Sequence, residues 1–135
     1  MATITARFDD WLGADVEAFW RAHDEEPERG LRRVLQEWWT AQHFPAVVFR
    51  GGGAGRRAAL RDGPDVWEVA MVARAYGVDR PAEDRTPLYA HFAGLVEREA
   101  VDQALGYAAR FPDEIAALLS ENAQAEQALA DAGEA

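Results

Sequence analysis

The sequence predicts a mainly α-helical protein in two parts, with the boundary near residues 43–46. Apolar residues recur at helical spacing over most of the chain, whereas strand-like alternation is confined to residues 2–8 and to short runs on either side of a glycine-rich stretch. The length of 135 residues suits one ordinary domain or two very small modules. We expect one strand and two helices in residues 1–45, followed by a short β-hairpin and four helices in residues 46–135.

The N-terminal part opens with the alternating segment "ATITARF", in which Ile4, Ala6 and Phe8 face one way and Thr3, Thr5 and Arg7 the other. This period of two predicts a strand. A helix with a buried side follows, and Pro27 is suited to begin a second helix that runs to about Gln42. The residues expected to be buried on these two helices are Leu12, Val16, Phe19, Trp20, Leu31, Val34, Leu35 and Trp38.

The C-terminal part begins with two short strand-like runs, residues 46–50 and 58–61, joined through the glycines. Asp65 and Glu68 have the spacing of a capping box at the start of a helix that Gly77 ends. Thr86 and Pro87 open a short helix. Two further helices are expected over residues 97–111 and from about residue 113 to about residue 130.

The distribution of charge along the chain excludes electrostatic binding of nucleic acid over the whole protein surface. The net charge is −10, and every one of the 14 basic residues is arginine. Residues 1–45 carry a net −4, residues 46–75 a net +2 and residues 76–135 a net −8, which sum to −10. The only basic region therefore surrounds the glycine-rich stretch, and a strongly acidic protein repels the phosphates of DNA elsewhere.

Several classes of protein are disfavoured by composition. The chain has no cysteine, which excludes disulfides and thiolate metal sites, and it has no apolar run long enough to cross a membrane. Its N-terminus lacks the features of a signal peptide, so a cytoplasmic location is predicted. The histidines at positions 23, 43 and 91 lack ligand spacing, and no nucleophile motif is present. We therefore expect no metal, no cofactor and no catalytic residue.

The single N-terminal strand has no partner strand at hairpin distance in its own chain, and about 43 residues cannot close a core alone. Pairing with the same strand of a second copy would satisfy the backbone and let four helices bury one another. This arrangement resembles the ribbon-helix-helix DNA-binding fold over residues 2–42. The resemblance implies a homodimer in which Thr3, Thr5 and Arg7 face the major groove of operator DNA, with Arg7 suited to guanine.

The residues at the start of the second helix favour a function other than DNA binding. The family usually clamps a phosphate there, but this chain has Glu25, Glu26 and Glu28 around Pro27. The glutamates would repel a phosphate, and the proline removes one N–H donor. A dimeric adaptor that binds only protein is therefore the alternative to a DNA-binding dimer.

The stretch "FRGGGAGRRAAL", residues 49–60, lacks the Lys-Ser/Thr pair of a P-loop and the following helix of a dinucleotide fingerprint. A wide hairpin turn is the expected structure. Arg56 and Arg57, with Arg50 and Arg61 nearby, are candidates to contact a phosphate backbone or an acidic partner surface. A small-molecule enzyme or carrier would instead need a deep polar pocket beside Arg56 and Arg57.

A second resemblance covers residues 46–115. The segments "GRRAAL", "DVWEVAMVARAYG" and "LVEREAVDQALGYAARFPDEI" resemble the small helix-turn-helix family of VapB-type antitoxins, usually of uncharacterised function. The loop between the helices, "VDRPAEDRTPLYAHFAG", is longer here than usual. Residues 97–111 would be the recognition helix, but its exposed residues are mostly acidic, which favours a scaffold for a dimer or a protein partner.

Together, the two resemblances imply an antitoxin-like homodimer without enzymatic activity. The C-terminal part, or the acidic tail after about residue 112, would bind and neutralise a cognate toxin, and a basic ribonuclease suits that acidic surface. Operator DNA is a second candidate partner, which would make the protein a repressor of its own promoter.

Overall fold

The computed structural model describes residues 1–51, 55–80 and 83–133. Within them the chain forms six helices and one two-stranded antiparallel sheet, so the mainly helical class predicted from the sequence is confirmed. In chain order the elements are α1 (Asp10–Ala22), α2 (Pro27–His43), β1 (Val47–Arg50), β2 (Arg57–Leu60), α3 (Val66–Ala75), α4 (Thr86–His91), α5 (Arg98–Arg110) and α6 (Pro112–Gly133).

The buried hydrophobic residues that the structure describes lie in the C-terminal part, and Phe44 packs against them. Helices α3 and α5 pack against each other, against the hairpin and against the first turns of α6. Tyr107, on α5, is fully buried at the centre and contacts the rings of Phe44, Phe49 and Phe111. The other largest fully buried side chains are Leu60, Leu88, Val66, Val69, Val101 and Thr40.

The β-hairpin pairs β1 with β2 from Val47 opposite Leu60 to Arg50 opposite Arg57. Gly51 has a φ of +81°, and a Cβ there would lie 2.7 Å from the carbonyl oxygen of Gly55, so the turn requires glycine at position 51. The prediction of a hairpin is confirmed in its two strands. The prediction of a wide glycine turn falls partly on residues 52–54, which lie outside the described residues.

The two N-terminal helices attach to this body through α2. The ring of Trp39 packs edge-on against Phe44 and Phe111, and the guanidinium of Arg110 lies 5.5 Å from its centre. Phe44 in turn packs against Gly106, where a Cβ would come within 2.7 Å of the ring. Helix α1 packs on α2, with Trp20 lying over Gly30.

The N-terminal strand is not formed in the single chain. Residues 1–9 have no regular secondary structure, and all of them are exposed. A lone extended segment has no partner for its backbone groups, so strand geometry cannot be stabilised without a second strand. Pairing of this segment between two copies, as in a ribbon-helix-helix dimer, stays a prediction.

Candidate protein-binding surfaces

Helix α2 presents two chemically different sides, and the polar one faces the body of the protein. Gly30 and Thr40 are buried on that side, with Arg33, Gln36 and Glu37 half-buried between them. The opposite side is the apolar stripe that the sequence predicts to be buried, and in the single chain it is exposed. We call it the α2 apolar stripe; its residues, with exposed fractions of 45–59%, are Leu31, Val34, Leu35 and Trp38.

Helix α1 buries none of its residues. Val16 and Trp20 are half-buried, but Leu12 and Phe19 remain exposed. Trp11 and the N-terminal Ile4 and Phe8 are exposed as well. Leu12 and Phe19 are therefore not buried within a single chain, where α1 packs on α2 through Trp20 and Gly30. Their burial between two copies stays a prediction.

A polar cleft of about 460 Å³ separates the α1–α2 turn from the body. Connected ion pairs line this cleft. Arg33 donates to both carboxylate oxygens of Glu25, at 3.0 and 3.1 Å, and lies 3.6 Å from Glu37, which also accepts from Arg56. The hydrogen bonds from Arg33 hold the pKa of Glu25 below its usual value, and Glu25 raises the pKa of Arg33.

Tyr107 lies behind the cleft and binds two of its lining residues, Gln36 and Glu114. Its hydroxyl donates to the carboxylate of Glu114 and accepts from the amide of Gln36 at 3.1 Å. Burial, reinforced by the neighbouring Glu114, raises the pKa of Tyr107 well above its usual value, so the hydroxyl stays protonated. Most of the carboxylates and guanidiniums that line this cleft therefore form ion pairs with one another, as expected where two parts of a protein pack together.

The structure places Arg56 and Arg57 at the start of β2, each already paired with an acid of the same chain. Arg56 donates to Glu37 and, at 3.0 Å, to the carbonyl oxygen of Gly51. Arg57 donates to Asp65, whose side chain is buried. A cavity of about 320 Å³ beside both arginines is open to solvent and is also lined by Trp67. A phosphate would have to compete with these carboxylates, and a DNA-binding role for the two arginines stays a prediction.

The remaining sequence-predicted DNA contacts, Thr3, Thr5 and Arg7, lie exposed in the N-terminal segment. Among the described residues, none of the three takes part in a hydrogen bond or an ion pair. Their predicted role depends on a ribbon that a single chain does not form.

The C-terminal half of α6 is a second uncovered surface. Residues 123–133 are all exposed and continue the helix beyond its packed first turns, around Ile115. From residue 112 to residue 133 the chain carries five carboxylates and no basic residue. Leu129, 75% exposed, is the large apolar side chain of this acidic helix end. The acidic tail expected from the sequence is therefore helical and accessible.

Nothing in the described residues groups three or more histidine or acidic side chains closely enough to hold a metal ion. His23 and His43 each donate a hydrogen bond from Nδ1 to a backbone carbonyl oxygen one turn earlier in the chain, and each stacks on an aromatic ring. None of the described helices has the length and hydropathy needed to cross a membrane.

Comparison with known proteins gives no relative: no family model, no curated protein and no solved structure matches this chain.

Proposed function

We propose that the protein acts by binding other proteins, as an antitoxin-like homodimer that neutralises a basic toxin such as a ribonuclease. The observation that carries this proposal is the exposed apolar stripe of α2. Water-exposed apolar patches of several large side chains are typical of interaction surfaces, since monomers rarely leave them uncovered. Here the patch lies on a helix whose other side already holds it to a well-packed core.

The acidic end of α6 is the proposed toxin-binding element. It projects from the body with its carboxylates in solvent, and Leu129 supplies an apolar contact. Complementary charge speeds encounter with a basic enzyme, and burial of an apolar side chain slows dissociation. Covering the active site of the toxin with this helix would stop its activity.

The experiment uses the product of the reading frame adjacent to the gene for this chain. That product, expressed alone, should arrest growth, and co-expression of this chain should restore growth. Replacing three acids of α6 (Glu121→Gln, Glu126→Gln and Asp131→Asn) should weaken the complex by about 3-fold to 150-fold, since each exposed ion pair contributes about 0.2–1 kcal/mol. Affinity is measured by calorimetry at two salt concentrations.

The matched control removes three exposed acids elsewhere, by Asp79→Asn, Glu83→Gln and Glu99→Gln, and so makes the same change in net charge. It should leave affinity within about 2-fold. Equal losses in the two triple variants would contradict a role for α6, and absence of any complex would contradict the antitoxin-like function.

A dimeric adaptor without DNA binding is the second candidate, and the ion pairs of Arg56 and Arg57 favour it. These two arginines are already neutralised by Glu37 and Asp65, and Glu25, Glu26 and Glu28 surround the start of α2. A gel shift with the DNA upstream of the gene separates the candidates. A shift that Arg7→Ala abolishes would support an operator-binding ribbon, and no shift at low salt would support the adaptor.

A further inference from the structure

We infer that the α2 apolar stripe is the contact between two copies of this chain, and that the helices hold the dimer without help from the N-terminal segment. This inference rests on the proposed function for its biological role, but it concerns a separate surface from the toxin-binding end of α6. It names one occupant for the stripe: α1 and α2 of a second copy.

The first argument is the amount of apolar surface. Trp11, Phe19 and Trp38 are each 59–65% exposed. Since a fully buried aromatic side chain covers about 150–250 Å², these three leave about 370 Å² in water. The partly exposed Leu12, Leu31, Val34 and Leu35 add to it. The total approaches the roughly 800 Å² per partner of an ordinary stable interface.

The second argument is that no segment among residues 1–51, 55–80 and 83–133 covers the stripe. The polar side of α2 is used by the body through Gln36, Glu37 and Trp39. The N-terminal residues 1–9 are themselves exposed. Since no segment in the described part of the chain covers Leu35 and Trp38, a second molecule would supply the cover.

The third argument is that the two helices have complementary charge. Helix α1 carries three acids and one arginine, a net −2, whereas α2 carries three arginines and two acids, a net +1. The exposed charged residues are Asp10, Asp15, Glu17 and Arg21 on α1 and Glu28, Arg29 and Arg32 on α2, where Arg32 pairs with Glu28 at 2.7 Å. In a two-fold interface that places each α1 on the α2 of the other copy, the acidic helix would meet the basic one twice.

The test is the molar mass of the purified full chain, measured by sedimentation at micromolar concentration. The wild type should have twice the 14.9 kDa of one chain. Leu35→Glu should weaken dimerisation at least about 100-fold, because a two-fold interface would bury the charge twice. Leu95→Glu is the matched control, since Leu95 is a similarly exposed leucine (69%) outside the N-terminal helices, and it should leave the dimer intact.

Thr5→Pro separates the helices from the ribbon, because a proline removes a strand hydrogen bond. We expect this variant to remain a dimer. A monomeric wild type, a Thr5→Pro variant that is monomeric, or a Leu35→Glu variant that remains a dimer would each overturn the inference. Far-UV circular dichroism of Leu35→Glu should show the same helix content as the wild type, since the position is exposed. If Leu35→Glu has lost helix content, the milder substitution Val34→Gln takes its place in the test. A dimer that captures no toxin would refute the proposed function and leave this inference standing.

Discussion

Gly30→Ala is expected to destabilise the protein by about 1–3 kcal/mol, the usual cost of forcing extra volume into a packed contact. A Cβ at position 30 would lie 2.5 Å from two ring atoms of Trp20 and 2.9 Å from Cγ of the same side chain. Because Cγ lies close to the backbone, the ring cannot simply swing away. Helix α1 would have to move off α2.

Gly13→Ala is the matched control for this substitution. Gly13 also lies within a helix, but a Cβ there meets nothing within 4 Å. The alanine should therefore stabilise the protein by about 0.5–1 kcal/mol through its better helix propensity. Urea unfolding followed by circular dichroism, at one fixed protein concentration, measures both variants. If both substitutions changed the free energy of unfolding in the same direction, the close contact of Trp20 with Gly30 would be contradicted.

Asp65→Ala is expected to lower the free energy of unfolding by about 2–3 kcal/mol, through lost helix capping and lost hydrogen bonds to a charged acceptor. Asp65 is buried at the N-cap of α3, where it forms a capping box with Glu68. Its carboxylate also accepts from Trp67 at 3.1 Å and from Arg57. Alanine removes this carboxylate, so the indole N–H of Trp67 and the guanidinium of Arg57 lose their shared acceptor.

Asp65→Asn provides the comparison for that variant. Asparagine retains one oxygen acceptor and is an equally good N-cap residue, so it should lose clearly less stability than alanine. Thermal unfolding of the two variants gives the order. If Asn and Ala cost the same, the ion pair with Arg57 rather than the cap would be the dominant contribution of Asp65.

The ends of the elements could be predicted because they depend on local chemistry. Pro27 begins α2, Asp65 with Glu68 caps α3, and Thr86 begins α4. Gly77, with a φ of +68°, follows the end of α3, as only a residue without a Cβ adopts that conformation easily.

The side of α2 that faces the body could not be predicted in the same way. Periodicity shows that Leu31, Val34, Leu35 and Trp38 share a face, but it does not show what covers that face. The contacts that do hold α2 join residues far apart in sequence, such as Gln36 with Tyr107. The pairing of Arg33 with Glu37 is four residues apart and was detectable, whereas the pairing of Glu37 with Arg56 depends on the fold.

The most direct test of the central claim, a dimer held by the α2 apolar stripe, is a distance measurement between two copies. The chain has no cysteine, so Gln42→Cys, at the exposed end of α2, provides a single site for a spin label. Since α2 has 17 residues and rises about 1.5 Å per residue, dipolar spectroscopy should give one defined distance below about 40 Å, and Leu35→Glu should abolish it. Absence of a dipolar signal in the otherwise wild-type chain, or a signal unchanged by Leu35→Glu, would contradict the claim.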